Sequence, residues 1–231
     1  MNRPPVSVVI PVLNGERYLG EAIASAFAQT YPPLEVIVVD DGSSDHSANV
    51  ASEFGARVLR TPHRGVSAAR NTAIAVAEGE LIALLDADDR WPPGRLAVQV
   101  DQFRRRPELG FVIGRGRLFL NPGTERPGWF TDDLAAGASA LARQTILARR
   151  SMFERIGAFD ETVDICEDLD WLARARDAGV PYEVLDDVLV EYRFHGANTG
   201  LPRRHDLERG VLRALRSSLR RKRARDSNLG L

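Results

Sequence analysis

The chain has 231 residues, of which 44% are hydrophobic, and its formal net charge is −1. This length and composition predict one well-buried core, and the near-zero net charge gives the molecule as a whole no signature of a nucleic-acid-binding protein. Its one cysteine, Cys166, excludes an intramolecular disulfide framework and is typical of a reducing cytoplasm.

The N-terminal residues and the apolar segments indicate where the protein works. Residues 1–5 lead into a short strand rather than into a signal-type apolar core. No apolar segment of the sequence approaches the length needed to span a bilayer. We therefore expect a soluble, cytoplasmic protein.

Short apolar runs alternate with helical patterns through the first 105 residues. Strands are predicted at 6–10, 34–39, 57–59 and 81–85, and helices at about 18–27, 45–54, 66–77 and 94–105. Gly79 is expected to be the glycine that closes the third helix. The alternation predicts an α/β fold with a mostly parallel sheet, right-handed crossovers and flanking helices.

The pattern changes after residue 110. Further strands are predicted at 111–113, 117–120, 184–185 and 188–192, with a short helix opened by a capping-box pattern at 151–154 and another helix at 167–178. Residues 121–137 form a loop that is longer than typical connections. We predict one domain over residues 1–200 and a basic helical tail over residues 201–231.

Three carboxylates follow the apolar run 81–85, in the sequence DADD (86–89). Open α/β sheets bind ligands at the carboxyl ends of their strands, and carboxylates this close repel one another unless a cation lies among them. Mg²⁺ and Mn²⁺ prefer such oxygen ligands. The alternative is a solvated acidic turn that caps the helix beginning near residues 92–93, and Asp89 is expected to be such a cap.

Several segments, taken in their order, resemble the motifs of glycosyltransferase family 2, which has the GT-A fold. They are VSVVIPVLN (6–14), VVDDGSSD (38–45), GVSAARN (65–71), DAD (86–88), GAFDE (157–161) and CED (166–168). Each is weak alone, but their number and order make the resemblance specific, and it covers residues 6 to about 199. It implies an inverting enzyme that transfers a sugar from a nucleoside-diphosphate-sugar to an acceptor hydroxyl with a divalent cation, Mn²⁺ or Mg²⁺.

The resemblance also implies a set of donor-binding residues. They are Pro11, Leu13, Asp40, Asp41, Arg70, Asn71, Asp86 and Ala87. Asp41 would contact the base, with Asp40 as its neighbour, and Asp86 would contact the ribose, or the ion through water. Asp40 and Asp41 have an alternative role as caps of the following helix. Arg70 would pair with a phosphate or form a surface salt bridge.

The same resemblance implies the metal ligands and the catalytic base. Asp88 would bind the divalent ion directly, together with Asp86, and His195 would complete the metal or diphosphate site; a capping or core histidine is the alternative. Asp168 is the candidate base that takes the proton of the acceptor hydroxyl. A carboxylate at a helix start also suits the helix dipole without any catalytic role.

The acceptor side has fewer signals. The loop 121–137 is a candidate lid ordered by donor binding, and Trp129 within it is a candidate acceptor contact. His46, His63 and His205 have no motif around them and are expected at the surface.

The segment after Pro202 is rich in arginine and carries the only lysine, Lys222. Leu212, Leu215 and Leu219 share one face of a predicted helix. Such a basic amphipathic helix suits the anionic surface at the inner face of a membrane, where a lipid-linked acceptor would be found. The alternative is a helix docked on the protein by its leucines, with its arginines in water.

The expected partners are a nucleoside-diphosphate-sugar donor and a carbohydrate or lipid-linked acceptor, and no nucleic acid is expected. Two other functions stay open. A catalytically inactive homologue would bind nucleotide or act as a scaffold, although the retention of Asp41, Asp86, Asp88 and Asp168 argues against it. A sugar nucleotidyltransferase would need a glycine-rich, basic loop after the first strand, which residues 11–15 do not provide.

Overall fold

A computed structural model describes residues 3–136, 141–163, 166–196, 198 and 204–228. The strands are β1 (Val6–Val12), β2 (Glu35–Asp40), β3 (Arg57–Arg60), β4 (Leu81–Leu84), β5 (Phe111–Leu120), β6 (Leu141–Arg149) and β7 (Tyr182–Phe194). The helices are α1 (Glu16–Phe27), α2 (Ser47–Glu53), α3 (Val66–Val76), α4 (Arg95–Arg105), α5 (Asp132–Ala136), α6 (Arg150–Arg155), α7 (Glu167–Asp177) and α8 (Arg204–Asn228).

The described strands form one seven-stranded sheet in the order β3-β2-β1-β4-β6-β5-β7. Every pairing is parallel except those of β6, which runs antiparallel to β4 and to β5. The mostly parallel α/β sheet is therefore confirmed. Strand β6 was not predicted, because its sequence LARQTILAR consists largely of residues that prefer helices, and its strand conformation is imposed by its two neighbours.

Helices cover both faces of the sheet, and β1 is buried throughout. Val8 packs in an apolar cluster with side chains of α1 and α4, whereas the next residue, Val9, packs with side chains of α3 and α7. Successive residues of a strand point to opposite faces. A strand buried on both faces needs the continuous apolar sequence that β1 has.

Three local predictions were wrong in whole or in part. Helix α3 ends at Val76, and Gly79 instead lies where the backbones approach closely: its N–H donates to Ser7 Oγ at 2.8 Å, and a Cβ atom there would lie 2.5 Å from Ser7 N. The short helix predicted at 151–154 is present as α6, but no capping box opens it, because β6 runs directly into α6 and the N-cap is Arg149, without a side-chain cap. The paired short strands predicted after residue 110 are the continuous strands β5 and β7, whose pairing contains register shifts.

Helix α8 lies against α7, but not by its leucines. Ala214 and Ser218 are buried in the contact, whereas Leu212, Leu215 and Leu219 are each more than half exposed. The alternative considered for the tail, a helix docked on the protein by its leucines, is therefore wrong. None of the helices in the described parts of the chain combines the length and the apolar character that crossing a bilayer requires.

Candidate functional site

The carboxyl ends of the parallel strands meet at one edge of the sheet, and the predicted site residues follow them. Asp40 is the last residue of β2, and residues 86–89 follow β4. His195 comes directly after β7. Ligands of such sheets bind at this edge, so these residues form the candidate site.

Arg70 is the centre of a buried group of charges. Its side chain on α3 is only 3% exposed, Nη2 donates to Asp86 Oδ1 at 2.7 Å, and Nη1 donates to Glu167 Oε1. Burial alone would lower the pKa of Arg70, but the negative charges of Asp86, Glu167 and Asp168 raise it above its usual value. Arg70 is therefore a permanent cation that joins β4 to α7, and the surface salt bridge considered for it is not found.

Both carboxylate oxygens of Asp86 are engaged. Oδ1 accepts from Arg70, and Oδ2 accepts from the Nε2 amide of Gln144 on β6. A carboxylate held on both sides is fixed in its orientation. No sequence signal pointed to Gln144, because β6 itself was not predicted.

Asp88 faces the end of β7. Its Oδ2 atom lies 3.2 Å from His195 Nε2 and accepts from Asn198 Nδ2 at 3.3 Å. Burial raises the pKa of the Asp88 carboxyl, the charge of Asp86 raises it further, and His195 opposes both. The structure thus brings Asp88 and His195 together across the sheet edge. Asn198 was missed, although it lies in the same segment as His195.

Asp89 is not a helix cap. It is buried, and its Oδ1 atom accepts a hydrogen bond from the backbone N–H of Arg193 at 2.9 Å. The Arg193 side chain in turn donates to the Asp88 carbonyl at 2.9 Å. Burial and the nearby charges of Asp88 and Asp86 raise the pKa of Asp89 well above its usual value. The acidic loop is thus fastened to β7, a contact that local sequence could not indicate.

The two acidic residues after β2 differ in their surroundings. Asp40 Oδ1 accepts from Ser43 N at 2.8 Å, which is the turn role considered for it. Asp41 is buried and holds the start of α3: its carboxylate accepts from Arg64 N at 2.9 Å and Gly65 N at 2.8 Å, and lies 2.8 Å from His63 Nδ1.

His63 is at the surface as expected, with 61% of its side chain exposed, but it is also a partner of Asp41. Its position two residues before the GVSAARN segment was the available signal.

Asp168 is the second residue of α7, directly after Glu167, and is 7% exposed. The N-cap residue of α7, Cys166, is buried and has a positive φ of 70°, so the chain turns sharply into the helix. The charge of Asp168 acts on Arg70, which also contacts Asp86. The candidate base and the acidic loop after β4 therefore belong to one group of side chains.

A family model described as Glycosyl transferase family 2 matches residues 7–166. The chain belongs to glycosyl transferase family 2. An uncharacterized glycosyltransferase of Rickettsia typhi is 29% identical over 211 residues, 85% of this chain and 66% of that protein. Chondroitin synthase of Escherichia coli is 27% identical over 209 residues, 86% of this chain and 30% of that protein. The chain thus spans only part of the length of these relatives.

Two solved structures show the same fold. The mannosyltransferase PcManGT from Pyrobaculum calidifontis, in complex with GDP-Man and Mn²⁺, has a TM-score of 0.72 and 22% identity, covering 95% of this chain and 65% of that one. S. aureus TarS 1–349 in complex with UDP-GlcNAc has a TM-score of 0.67 and 21% identity, covering 84% and 60%. The GT-A fold implied by the motifs is confirmed.

The remaining candidates of this family 2 protein surround the same edge. Asn71 holds the GAFDE segment on α3, since Nδ2 donates to Phe159 O and Oδ1 accepts from Phe159 N, both at 2.9 Å. Pro11 is buried in β1, Leu13 is 44% exposed just after it, and Ala87 is half-buried between the two aspartates of the DAD motif. Asn71 thus contacts the protein, whereas Leu13 faces solvent.

The loop 121–137 reaches the same edge. Trp129 is 45% exposed, and its ring meets the ring of Phe194, the last residue of β7, edge-on at 5.2 Å. Residues 132–136 form α5, and residue 137 lies outside the described residues. Trp129 is therefore adjacent to the segment that carries His195.

Metal-binding side chains are sparse in this site of the family 2 protein. Within the residues that the structure describes, no three histidine, cysteine, aspartate or glutamate side chains are grouped so that they could hold an ion. Asp88 and His195 together provide two candidate ligands. An ion at this edge would need further ligands from a bound molecule or from water.

Proposed function

We propose that this protein transfers a sugar from a nucleoside-diphosphate-sugar to a hydroxyl group of a carbohydrate or lipid-linked acceptor, with inversion and with Mn²⁺ or Mg²⁺, in the cytoplasm. The observation that carries the proposal is the convergence of Asp88 with His195 and of Asp86 and Asp168 with Arg70 at one sheet edge. Family membership and neighbours solved with UDP-GlcNAc or GDP-Man support it.

The donor nucleotide would lie along the ends of β1 and β2, with Pro11, Leu13 and Asp40 beside it. Asp41 is assigned to the base, but its carboxylate already accepts from two backbone N–H groups and contacts His63 and Thr61. A carboxylate offers about four acceptor positions. We therefore propose that a base N–H replaces the exposed His63 ring.

The residues present fit a divalent ion held by Asp88 and His195. Burial and the charge of Asp86 raise the pKa of Asp88, so the ionised carboxylate lacks a full counter-charge that a cation would supply. One oxygen and one imidazole nitrogen suit Mn²⁺ better than Mg²⁺, and the donor diphosphate and water would complete the ligands. Asp86, held by Arg70 and Gln144, would orient the loop. When bound, the ion supplies Lewis-acid neutralisation of the leaving diphosphate.

Asp168 is proposed to take the proton of the acceptor hydroxyl. The hydroxyl oxygen then forms a bond to the anomeric carbon as the bond from that carbon to the diphosphate oxygen breaks, on the opposite face of the sugar. Inversion follows from this single displacement, and no second carboxylate is required. Glu167 and Arg70 hold the start of α7, and so position Asp168.

Replacing Asp168 with Asn tests the assignment. We expect transfer to fall by at least about a hundredfold, the usual contribution of a positioned base, while donor binding stays within about threefold. The assay screens nucleotide-sugars for transfer and hydrolysis with Mn²⁺, and calorimetry measures donor binding. Asp170→Asn, on the same helix turn, is the matched control. Transfer by D168N at the wild-type rate would remove Asp168 from the mechanism, and no nucleotide binding by the wild type would favour a scaffold.

A further inference from the structure

The face of α8 that contacts the protein is small and polar. Ser218 Oγ donates to Asp177 Oδ1 at 2.8 Å, and Arg221 Nε donates to Asp177 Oδ2 at 2.8 Å. Ala214 is buried beside them. Next to Ala214, Arg213 donates to the Thr162 carbonyl at 3.1 Å. These contacts fix which side of α8 faces away from the protein.

The other side of α8 carries an apolar stripe beside a basic one. Leu212, Leu215 and Leu219 are 51%, 51% and 55% exposed. At 100° per residue they span an arc of about 60°. The exposed residues Arg209, Arg216 and Arg220 lie along the adjacent arc. We call these six residues the outer face of α8.

An apolar stripe on this side is unusual, because an amphipathic helix of a soluble domain turns its leucines to the core. Here the core-facing positions are taken by alanine and serine, and the leucines meet solvent. Half-exposed leucines in one row form a patch rather than scattered surface residues, and such patches mark interaction sites. We therefore expect the outer face to bind a partner that contains an apolar layer.

The charge of α8 distinguishes between the possible binding partners of its outer face. Residues 209–225 contain eight basic residues and no acidic ones, whereas the whole chain has a net charge of −1, so the rest of the protein is net acidic. Two copies joined by this face would bring their arginines together, which costs free energy. A nucleic acid would match the arginines but not the leucines. An anionic bilayer matches both, since leucines enter the boundary of headgroups and acyl chains while arginines meet the phosphates.

We propose that the outer face of α8 binds the surface of an anionic membrane. This contact does not depend on the sugar-transfer reaction. It also positions the site: Arg213 joins α8 to Thr162 and pairs with Asp160, in the segment that precedes Asp168. If the proposed function holds, the membrane lies on the side of the segment that leads to Asp168, the proposed base for the acceptor hydroxyl, and a lipid-linked acceptor is the class of substrate that this arrangement favours.

The test is co-sedimentation of the full chain with vesicles of phosphatidylcholine alone or mixed with phosphatidylglycerol. We expect binding to the mixed vesicles that weakens with salt, and little binding to phosphatidylcholine. The variant R209Q/R216Q/R220Q should bind about a hundredfold more weakly, because each basic residue near such a surface contributes about 1 kcal/mol. L212S/L215S/L219S should lose binding to a similar extent.

Leu34→Ser is the matched control, because Leu34 is 54% exposed and lies far from α8 in the sequence. It should bind vesicles like the wild type. All variants should keep the wild-type melting temperature and nucleotide affinity, which separates loss of the membrane contact from misfolding and from failure of the proposed function.

Three results would overturn the proposal. The leucine variant could bind mixed vesicles as tightly as the wild type. Light scattering could show a wild-type dimer that the leucine variant turns into a monomer, which would make the outer face a contact between copies. The chain could bind RNA but not vesicles.

Discussion

Replacing Arg70 with methionine removes the cation that two largely buried carboxylates share. Arg70 donates to Asp86 and to Glu167, and its own side chain is 3% exposed. Removing one partner of a buried pair leaves the other charge uncompensated and destabilises a protein by about 3–5 kcal/mol. Since whole domains are stable by about 5–15 kcal/mol, R70M should be folded but strongly weakened.

The loss should depend on pH. Burial raises the pKa of Glu167, the charge of Asp168 adds to this, and Arg70 opposes it. A carboxyl whose pKa is higher in the folded than in the unfolded state binds extra protons on folding, so the free energy of unfolding falls as the pH rises. Without Arg70 this fall is steeper. The deficit of R70M relative to the wild type should therefore grow between pH 5 and pH 8.

Urea unfolding followed by circular dichroism at pH 5, 6, 7 and 8 measures this deficit. R70K keeps the charge but not the two-pronged geometry, and should lose less than R70M at every pH. Adding Glu167→Gln to R70M removes one of the two uncompensated carboxylate charges and should restore part of the free energy of unfolding at pH 8. A deficit below about 1 kcal/mol, or one that does not change with pH, would show that Arg70 is not the centre of a buried charge network.

The remaining predictions concern the two ends of the donor site. Asp41→Asn should weaken nucleotide binding by at least about tenfold, because hydrogen bonds to a charged acceptor contribute about 1.5–3 kcal/mol. His63→Ala should leave nucleotide affinity within about threefold of the wild type. Calorimetry with nucleoside diphosphates compares the two variants, and equal losses of affinity would mean that the base does not replace the His63 ring. Asp88→Asn should abolish the rise in melting temperature that Mn²⁺ gives the wild type. Without metal, the Asp88→Asn variant should melt at or above the wild-type temperature at pH 8, because ionisation of a carboxyl with a raised pKa destabilises the folded protein. If Mn²⁺ raised the melting temperature of the variant as much as that of the wild type, Asp88 would be excluded as a ligand.

Sequence patterns predicted the parts of the fold that local sequence controls. β1, β2 and β4 are apolar without interruption because they are buried on both faces, and their predicted bounds lie within two residues of the observed ones. β6 could not be predicted in this way, since LARQTILAR becomes a strand only by pairing with β4 and β5. Tertiary context overrides weak local preference at such positions.

The site residues likewise fall into those that the sequence motifs indicate and those that only tertiary contacts reveal. The motifs pointed to Asp88 and His195, which lie 107 positions apart in the sequence and meet in the structure. Gln144 and Arg193, which hold Asp86 and the acidic loop, are single polar residues with no periodicity or motif, so only the folded chain reveals them. Asp89 was misread because a carboxylate before a helix is typically a cap, whereas a long-range backbone donor takes it here.

The carboxylates at the sheet edge differ in the hydrogen-bonding partners that hold them. Asp86 and Asp89 are held by Arg70, Gln144 and the Arg193 backbone, so they fix the loop after β4. Asp88 meets an imidazole and an amide, two partners that a cation could replace or share. A loop that is fastened on both sides of Asp88 keeps that carboxylate in place despite the repulsion of its neighbours, so the proposed ion would bind without a rearrangement of the backbone.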